Sequence, residues 1–188
     1  LKFTAAVHEF RFNSFLYLLK ITGSTPRKYT PLPKYAEMSI WKESYPDTIN
    51  RRFLYETLYY SGLTPKAAIN KNVIDELKNI GMFSAITNDS LKKAINTYYG
   101  FVGEKFGQED WNEHLTREWR EFLRDNYGVL INEISTKDDI MELVKSNEPL
   151  QIRIKEMIQP AYYRSNNASK AISFAEDVLK VINKELKI

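Results

Sequence analysis

Apolar residues fill most positions from 4 to 21 and lie on every side of a helix that would span this segment. Its charged and amide side chains are few, namely Glu9, Arg11, Asn13 and Lys20. A surface helix has one apolar stripe, whereas a helix that is apolar all round lies in a core or at an interface. We therefore predict a buried or interfacial helix over residues 4–21.

Steps of three and four between apolar residues predict further helices along the rest of the chain. Proline and glycine mark most of their ends, because proline lacks a backbone donor and glycine favours the turn that ends a helix. The predicted helices cover residues 47–60, a short segment from Thr64, and residues 70–80, 90–99, 111–126, 137–146, 149–158 and 168–186. The regularly spaced residues of the helix over 47–60 include Phe53, Leu54, Tyr55, Leu58 and Tyr59.

This pattern predicts a mainly α fold, a helical bundle of about eight helices with at most a small two-stranded ribbon. The ribbon would pair two short apolar segments, residues 82–87 and 127–134. The 188 residues suit one helical domain, for which the sub-halves 1–100 and 101–188 are an alternative division. Because the chain has no cysteine, its core must form without disulfides.

Residues 22–46, here called the arm, are predicted to be extended. Four prolines within the arm remove backbone donors and push the residues before them towards extended geometry. The only acids of the arm are Glu37 and Glu43, whereas cations and aromatic rings recur along it. These are Arg27, Lys28, Tyr29, Lys34, Tyr35, Trp41, Lys42 and Tyr45.

Such an arm suits two kinds of partner if its rings stay free for contact. Rings stack on bases and cations neutralise phosphates, so the mixture fits single-stranded DNA or RNA. Aromatic residues also dominate protein interfaces, so the arm fits a protein partner or a second copy of the chain, and it can equally wrap its own domain. The sequence leaves these interpretations open.

Residues 47–87 have the element order of a winged helix-turn-helix, in which the third helix enters the DNA major groove. That helix would offer Lys71, Asn72 and Lys78 to DNA, and Lys66 lies just before it. Two acidic residues on the same face would repel phosphates. Three ordinary core helices are therefore the alternative interpretation.

Composition excludes several kinds of chemistry. The net charge of +3 comes from 27 basic and 24 acidic residues, so clustering and not the total must indicate an acidic partner. The sequence has no glycine-rich phosphate loop, no HExxH, no EF-hand loop and no GxSxG, and its only histidines are His8 and His114. We therefore expect no cofactor and no bound metal.

A magnesium-dependent nuclease is the remaining enzymatic alternative. It would need Asp47 together with Glu76 and Lys78 on adjacent strands. Glu76 and Lys78 lie instead in a helix-periodic segment, where residues two apart diverge by about 200°. This spacing argues against the nuclease.

Charged residues interrupt the first apolar segment, so it resembles neither a signal peptide nor a membrane span. We expect a cytoplasmic protein without membrane contact. The hypothesis that follows is a non-enzymatic binding or assembly subunit that engages a protein or nucleoprotein complex. A DNA-binding regulator that acts through residues 47–87 is the alternative.

Overall fold

The computed structural model describes residues 1–65, 69–107, 111–127 and 148–186. Within these ranges the chain is mainly helical and contains no strand, which confirms the predicted fold class at that level. The described α-helices are α1 (Lys2–Ile21), α2 (Arg51–Ser61), α3 (Asn72–Asn79), α4 (Met82–Ala85), α5 (Asp89–Phe106), α6 (Trp111–Tyr127) and α7 (Glu148–Leu186). A 3₁₀ turn covers Ala36–Met38 in the arm.

Helix α1 lies at the centre of the fold, as its all-round apolar pattern predicts. Every side chain from Thr4 to Phe12 is at most 4% exposed, and Phe15 and Leu18 are completely covered. Helix α7 covers one side of α1, and α2 and the arm cover others. Helix α6 reaches α1 through Trp119, whose ring centroid lies 5.4 Å from that of Phe15.

Helix α7 runs antiparallel to α1. The Ser165 hydroxyl donates a hydrogen bond to the Ala5 carbonyl at 3.0 Å, and the rings of Phe12 and Tyr162 lie 5.2 Å apart. The 39 residues of α7 make a helix about 58 Å long. Its carboxyl-terminal half extends beyond α1 and packs against α5, where the rings of Phe101 and Phe174 lie 5.2 Å apart.

The prediction of two separate helices over residues 149–158 and 168–186 is wrong, because α7 is continuous through Pro160. A proline inside a helix removes one hydrogen bond and crowds the carbonyl four residues before it, at a cost of about 3 kcal/mol. Residues on both sides of Pro160, including Met157, Ile158 and Ala161, are buried. Their burial offsets the local cost, so the helix continues from Glu148 to Leu186.

The structure does not support the ribbon or the winged-helix-like segment at 47–87. Residues 82–85 form α4 and residues 86–88 are irregular, so the first predicted strand is absent; residues 128–134 of the second lie outside the described residues. Gly81, at φ 76°, allows the left-handed turn into α4. The Asn88 side chain then caps α5 by accepting from the Leu91 N–H at 3.0 Å. Three residues, 86–88, lie between α4 and α5, and this length is too short for the two strands of a wing.

Other helix boundaries also differ from their predictions. Helix α2 begins at Arg51 and not at residue 47, because the side chain of Asn50 caps it by accepting the Phe53 N–H at 3.0 Å. Helix α5 does not end at residue 99 as predicted but continues through Gly100 and Gly103 to Phe106. The short helix predicted from Thr64 is not formed at 63–65, and the predicted helix over 137–146 lies outside the described residues.

Replacing Phe53 by alanine tests the central core. The Phe53 ring lies 4.9 Å from the Tyr17 ring and 5.0 Å from the Trp41 ring, so its removal leaves a cavity among aromatic side chains. We expect Phe53→Ala to lower the free energy of unfolding by about 3 to 5 kcal/mol. Urea titration followed by tryptophan fluorescence measures this loss.

The matched control is Phe3→Ala, which removes the same atoms from a side chain that is 50% exposed. We expect Phe3→Ala to lower the free energy of unfolding by less than about 1 kcal/mol. Equal losses in the two variants would contradict the described core.

Candidate functional site

The arm wraps α1 and runs along it in both directions. From the end of α1 it first enters the groove beside α7, where the Tyr29 ring lies 5.0 Å from Phe12 and 4.9 Å from Tyr162. Tyr35 then packs near Ala5, at the beginning of α1. The chain returns between α1 and α2, and the Tyr17 hydroxyl fixes its end by donating to the Thr48 carbonyl at 2.9 Å.

The rings of the arm serve mainly as anchors. Trp41 is only 5% exposed, its ring centroid lies 5.0 Å from that of Phe53, and its Nε1 donates to the Ser44 carbonyl at 3.1 Å. Tyr29, Tyr35 and Tyr45 are half-buried. Self-packing, one of the interpretations left open by the sequence, therefore describes the rings, and Trp41 is not free for contact.

A buried carboxylate fastens the arm to α1. Both oxygens of Glu9 accept from the Tyr45 hydroxyl, at 3.1 and 3.0 Å, and one accepts from Asn13 Nδ2 at 2.7 Å. Lys34 Nζ lies 4.8 Å from the centroid of the Tyr45 ring. Burial raises the pKa of Glu9, although the bond from Tyr45, the Lys34 charge and the bond from Asn13 oppose that shift. Burial and the neighbouring Glu9 carboxylate raise the pKa of Tyr45.

A second buried polar group fixes α1 to the segment after α2. Arg11 Nη2 donates to the Leu63 carbonyl, and Arg11 Nη1 lies 3.2 Å from His8 Nδ1. Burial, followed by the charges of Arg11 and Arg164, holds the pKa of His8 well below its usual range. His8 is therefore neutral and accepts from Arg11, which is a structural role.

The cations of the arm are exposed, although Lys34 also lies over the Tyr45 ring. Arg27, Lys28 and Lys42 are exposed and form no ion pair with any residue in the described ranges. Residues 20–52 contain seven basic and three acidic side chains, whereas the remainder of the chain has 20 basic and 21 acidic ones. The excess of positive charge in this protein is therefore concentrated in the arm and the residues that flank it.

The outward face of α2 continues this charged region. It carries Arg51, Tyr55 and Tyr59 at steps of four, with Arg52 beside them, while Phe53 and Leu58 face the core. The Arg52 guanidinium lies 5.1 Å from the Trp41 ring centroid and 3.3 Å from a Glu43 carboxylate oxygen. We call Arg27, Lys28, Lys34, Lys42, Arg51 and Arg52 the basic surface.

Sequence reasoning missed this face because it counted Tyr55 and Tyr59 with the apolar residues of α2. The structure leaves both tyrosines half-buried, with ring centroids 6.4 Å apart and planes 20° from parallel, and Tyr55 also packs against the core. The signal that could have found them is the spacing of four between Arg51, Tyr55 and Tyr59. That spacing defines a second face, distinct from the face of Phe53.

The described residues proposed for a reading helix lie apart from one another: Lys71 is beside α5, whereas Lys78 is beside α4. Lys71 is half-buried next to Gly103, Asn72 is exposed, and Lys78 Nζ lies 5.4 Å from the Phe83 ring centroid. Lys66 lies outside the described residues. These positions do not form the recognition helix of a winged-helix domain.

The nuclease constellation is also not assembled. Asp47 pairs with Lys20 at 3.0 Å, and Glu76 and Lys78 lie on α3, where residues two apart diverge by about 200°. Across the described part of the chain, no group of three or more histidine and acidic side chains could hold a metal ion.

Comparison with known proteins adds no relative. The sequence matches no protein-family model, and neither characterised proteins nor solved structures give a significant match. None of the helices in the described ranges combines the length and the apolar character needed to cross a bilayer.

The pH dependence of stability tests the buried carboxylate. Because the pKa of Glu9 is raised in the folded state above its ordinary value of 4.5, the folded protein binds this proton more tightly than the unfolded chain does. Glu9 therefore contributes stability that is fully present below about pH 4.5 and is lost as pH rises through the raised folded-state pKa. We expect the stability of wild type relative to Glu9→Gln to fall as pH rises through this window, as measured by urea unfolding at several pH values.

Phe3→Ala is the control for this measurement, since it changes no titrating group and its stability curve should run parallel to that of wild type. If the free energy of unfolding of wild type relative to that of Glu9→Gln stays constant or increases as pH rises, the described environment of Glu9 is contradicted.

Proposed function

We propose that this protein is a non-enzymatic nucleic-acid-binding subunit whose basic surface lies against a sugar–phosphate backbone. The observation that carries the proposal is the concentration of positive charge in residues 20–52, which contain seven basic and three acidic side chains. In the rest of the chain the charges nearly cancel. A polyanion would gain most by contact with this one region.

The anchored path of the arm supports the same proposal. Trp41 is buried, and Tyr45 is held by Glu9, so the exposed Lys42 lies between two fixed points. Binding does not have to order such an arm, and this lowers the entropic cost of association. Cations that are held at fixed positions are suited to a ligand that carries many negative charges.

Burial of Trp41 favours nucleic acid over a protein as the ligand of the arm. Protein interfaces rely on a few aromatic or arginine anchors that insert into pockets of the partner. The only tryptophan of the arm is already packed against Phe53 in its own chain. What the arm offers outwards is charge, and phosphate contacts depend on charge.

Removing three exposed arm cations tests the proposal. We expect the variant Arg27→Ala, Lys28→Ala, Lys42→Ala to bind a labelled DNA or RNA strand more weakly than wild type, and its affinity to depend less steeply on salt. Each lost phosphate contact reduces the slope of log affinity against log salt by about 0.7 to 0.9, so the three together reduce it by about 2 to 3. Fluorescence anisotropy between about 50 and 200 mM salt measures both effects.

The matched control removes three exposed lysines from α7, in the variant Lys170→Ala, Lys180→Ala, Lys184→Ala. It changes the net charge by the same amount at a different place, so its binding should stay close to that of wild type. Equal weakening by both variants would reject a localised basic surface, and absence of binding by wild type would reject the proposal.

A second test increases the charge of the same surface. The Glu43 carboxylate pairs with Arg52 at 3.3 Å, and both side chains are largely exposed. We expect Glu43→Gln to strengthen binding by up to about fivefold at low salt, because it removes a negative charge and frees the guanidinium for phosphate. Anisotropy titrations with the same labelled strands measure the gain.

Glu104→Gln is the control, since Glu104 is also exposed and also paired, with Lys105 on α5. It should leave the affinity unchanged. Weaker binding by Glu43→Gln would show that the acid itself contacts the ligand, contrary to the proposal.

A further inference from the structure

The two tyrosines on the outward face of α2 form a stacked pair next to the basic surface. Their ring centroids are 6.4 Å apart, and their planes deviate by 20° from parallel. They lie three and seven residues after Arg52, with Tyr55 at the edge of the core-facing side of α2 and Tyr59 further from that side. From Arg52 to Tyr59 this stripe extends about 10 Å along the helix axis.

The pair is held in place from the inside. Tyr55 packs against the central core, and the Tyr59 ring meets the Tyr60 ring edge to face at 5.1 Å. The Tyr60 ring in turn lies 5.7 Å from the Phe10 ring, inside the core. Tyr59 is thus a half-buried ring on a rigid support, so the stacking of a ligand on its accessible part costs the protein little conformational entropy.

We propose that Tyr55 and Tyr59 are a base-stacking platform and that the ligand of the basic surface is single-stranded nucleic acid. This inference rests on the proposed function and names its substrate class. In a duplex the faces of the bases already stack on one another, so a side-chain ring has no base face to cover. An unpaired strand offers a base that can stack on the tyrosine rings and a phosphate that can pair with the neighbouring Arg52.

The arrangement also explains how rings and cations act together although Trp41 is buried. Arg52 lies over the Trp41 ring at 5.1 Å, so the tryptophan positions a cation at the surface. The stacking rings come from α2, one turn and two turns further along the same face. The arm and α2 therefore contribute different groups to one binding surface.

The test compares strands and variants at the same salt concentration. Wild type should bind a labelled poly-thymidine strand more tightly than a duplex of equal length. Tyr59→Leu, which keeps an apolar side chain but removes the ring, should weaken strand binding by about 5- to 150-fold and leave duplex binding unchanged. Tyr59→Phe keeps the ring and should keep the affinity. Tyr163→Leu, at a ring that is 53% exposed on α7, should have no effect.

A measurement on the unaltered protein accompanies the variants and does not depend on their folding. A strand that contains iodouracil, whose photochemical cross-linking is favoured by an aromatic ring stacked on the base, should become attached mainly to Tyr59 or Tyr55, as identified by mass spectrometry of the peptides. Attachment at those residues supports the platform, and attachment elsewhere overturns it.

The outcomes separate this inference from the proposed function. If wild type binds strand and duplex equally and Tyr59→Leu changes neither, the platform is rejected while the basic surface stands. If wild type binds neither, the proposed function fails and the platform fails with it.

Discussion

Burial of α1 is the constraint on which the rest of the structure depends. A helix that is apolar on all sides must be enclosed, and enclosure also removes its polar side chains from water. Different parts of the chain supply their partners: the Tyr45 hydroxyl donates to Glu9, and the Leu63 carbonyl accepts from Arg11. Helix α7 adds the Ser165 hydroxyl on the Ala5 carbonyl. The arm, the segment after α2 and α7 are thus fixed in place by the same helix.

The arm therefore has two roles, and residues that serve each of them alternate along its sequence. Its rings and prolines follow α1 and complete the core, and its lysines and arginine remain in solvent. Because the inward groups fix the path, the outward charges acquire fixed positions without a helix or a sheet to carry them. Helix α2 adds the same division in regular form, with Phe53 towards the core and Arg52 beside Tyr55 and Tyr59 outside.

Much of the fold could be predicted from local pattern, and the errors have physical causes. The all-round apolar pattern of α1 and the spacing in α6 are properties of single segments, so the sequence was sufficient for both. Helix α7 continues through Pro160 because its residues are buried against α1, which is distant in sequence. That burial outweighs the local tendency of proline to end a helix. Hydrophobic spacing alone could not place Tyr55 and Tyr59, because a tyrosine is equally suited to a core edge and to a surface. Burial of Trp41 depends on Phe53, and an extended arm has no period that indicates which side faces inwards.

The enclosure of α1 has a consequence for biosynthesis. Ser165 and Ala5 are in contact but lie 160 positions apart in the sequence. Helix α1 is therefore made long before α7, the helix that covers it. At about 5 to 20 residues per second, the ribosome needs roughly 8 to 30 s to add that length of chain. During this interval the most apolar helix of the nascent protein exposes its α7-facing side. Until α7 is made, α1 thus exposes apolar surface of the kind that chaperones bind, and the finished molecule no longer displays it.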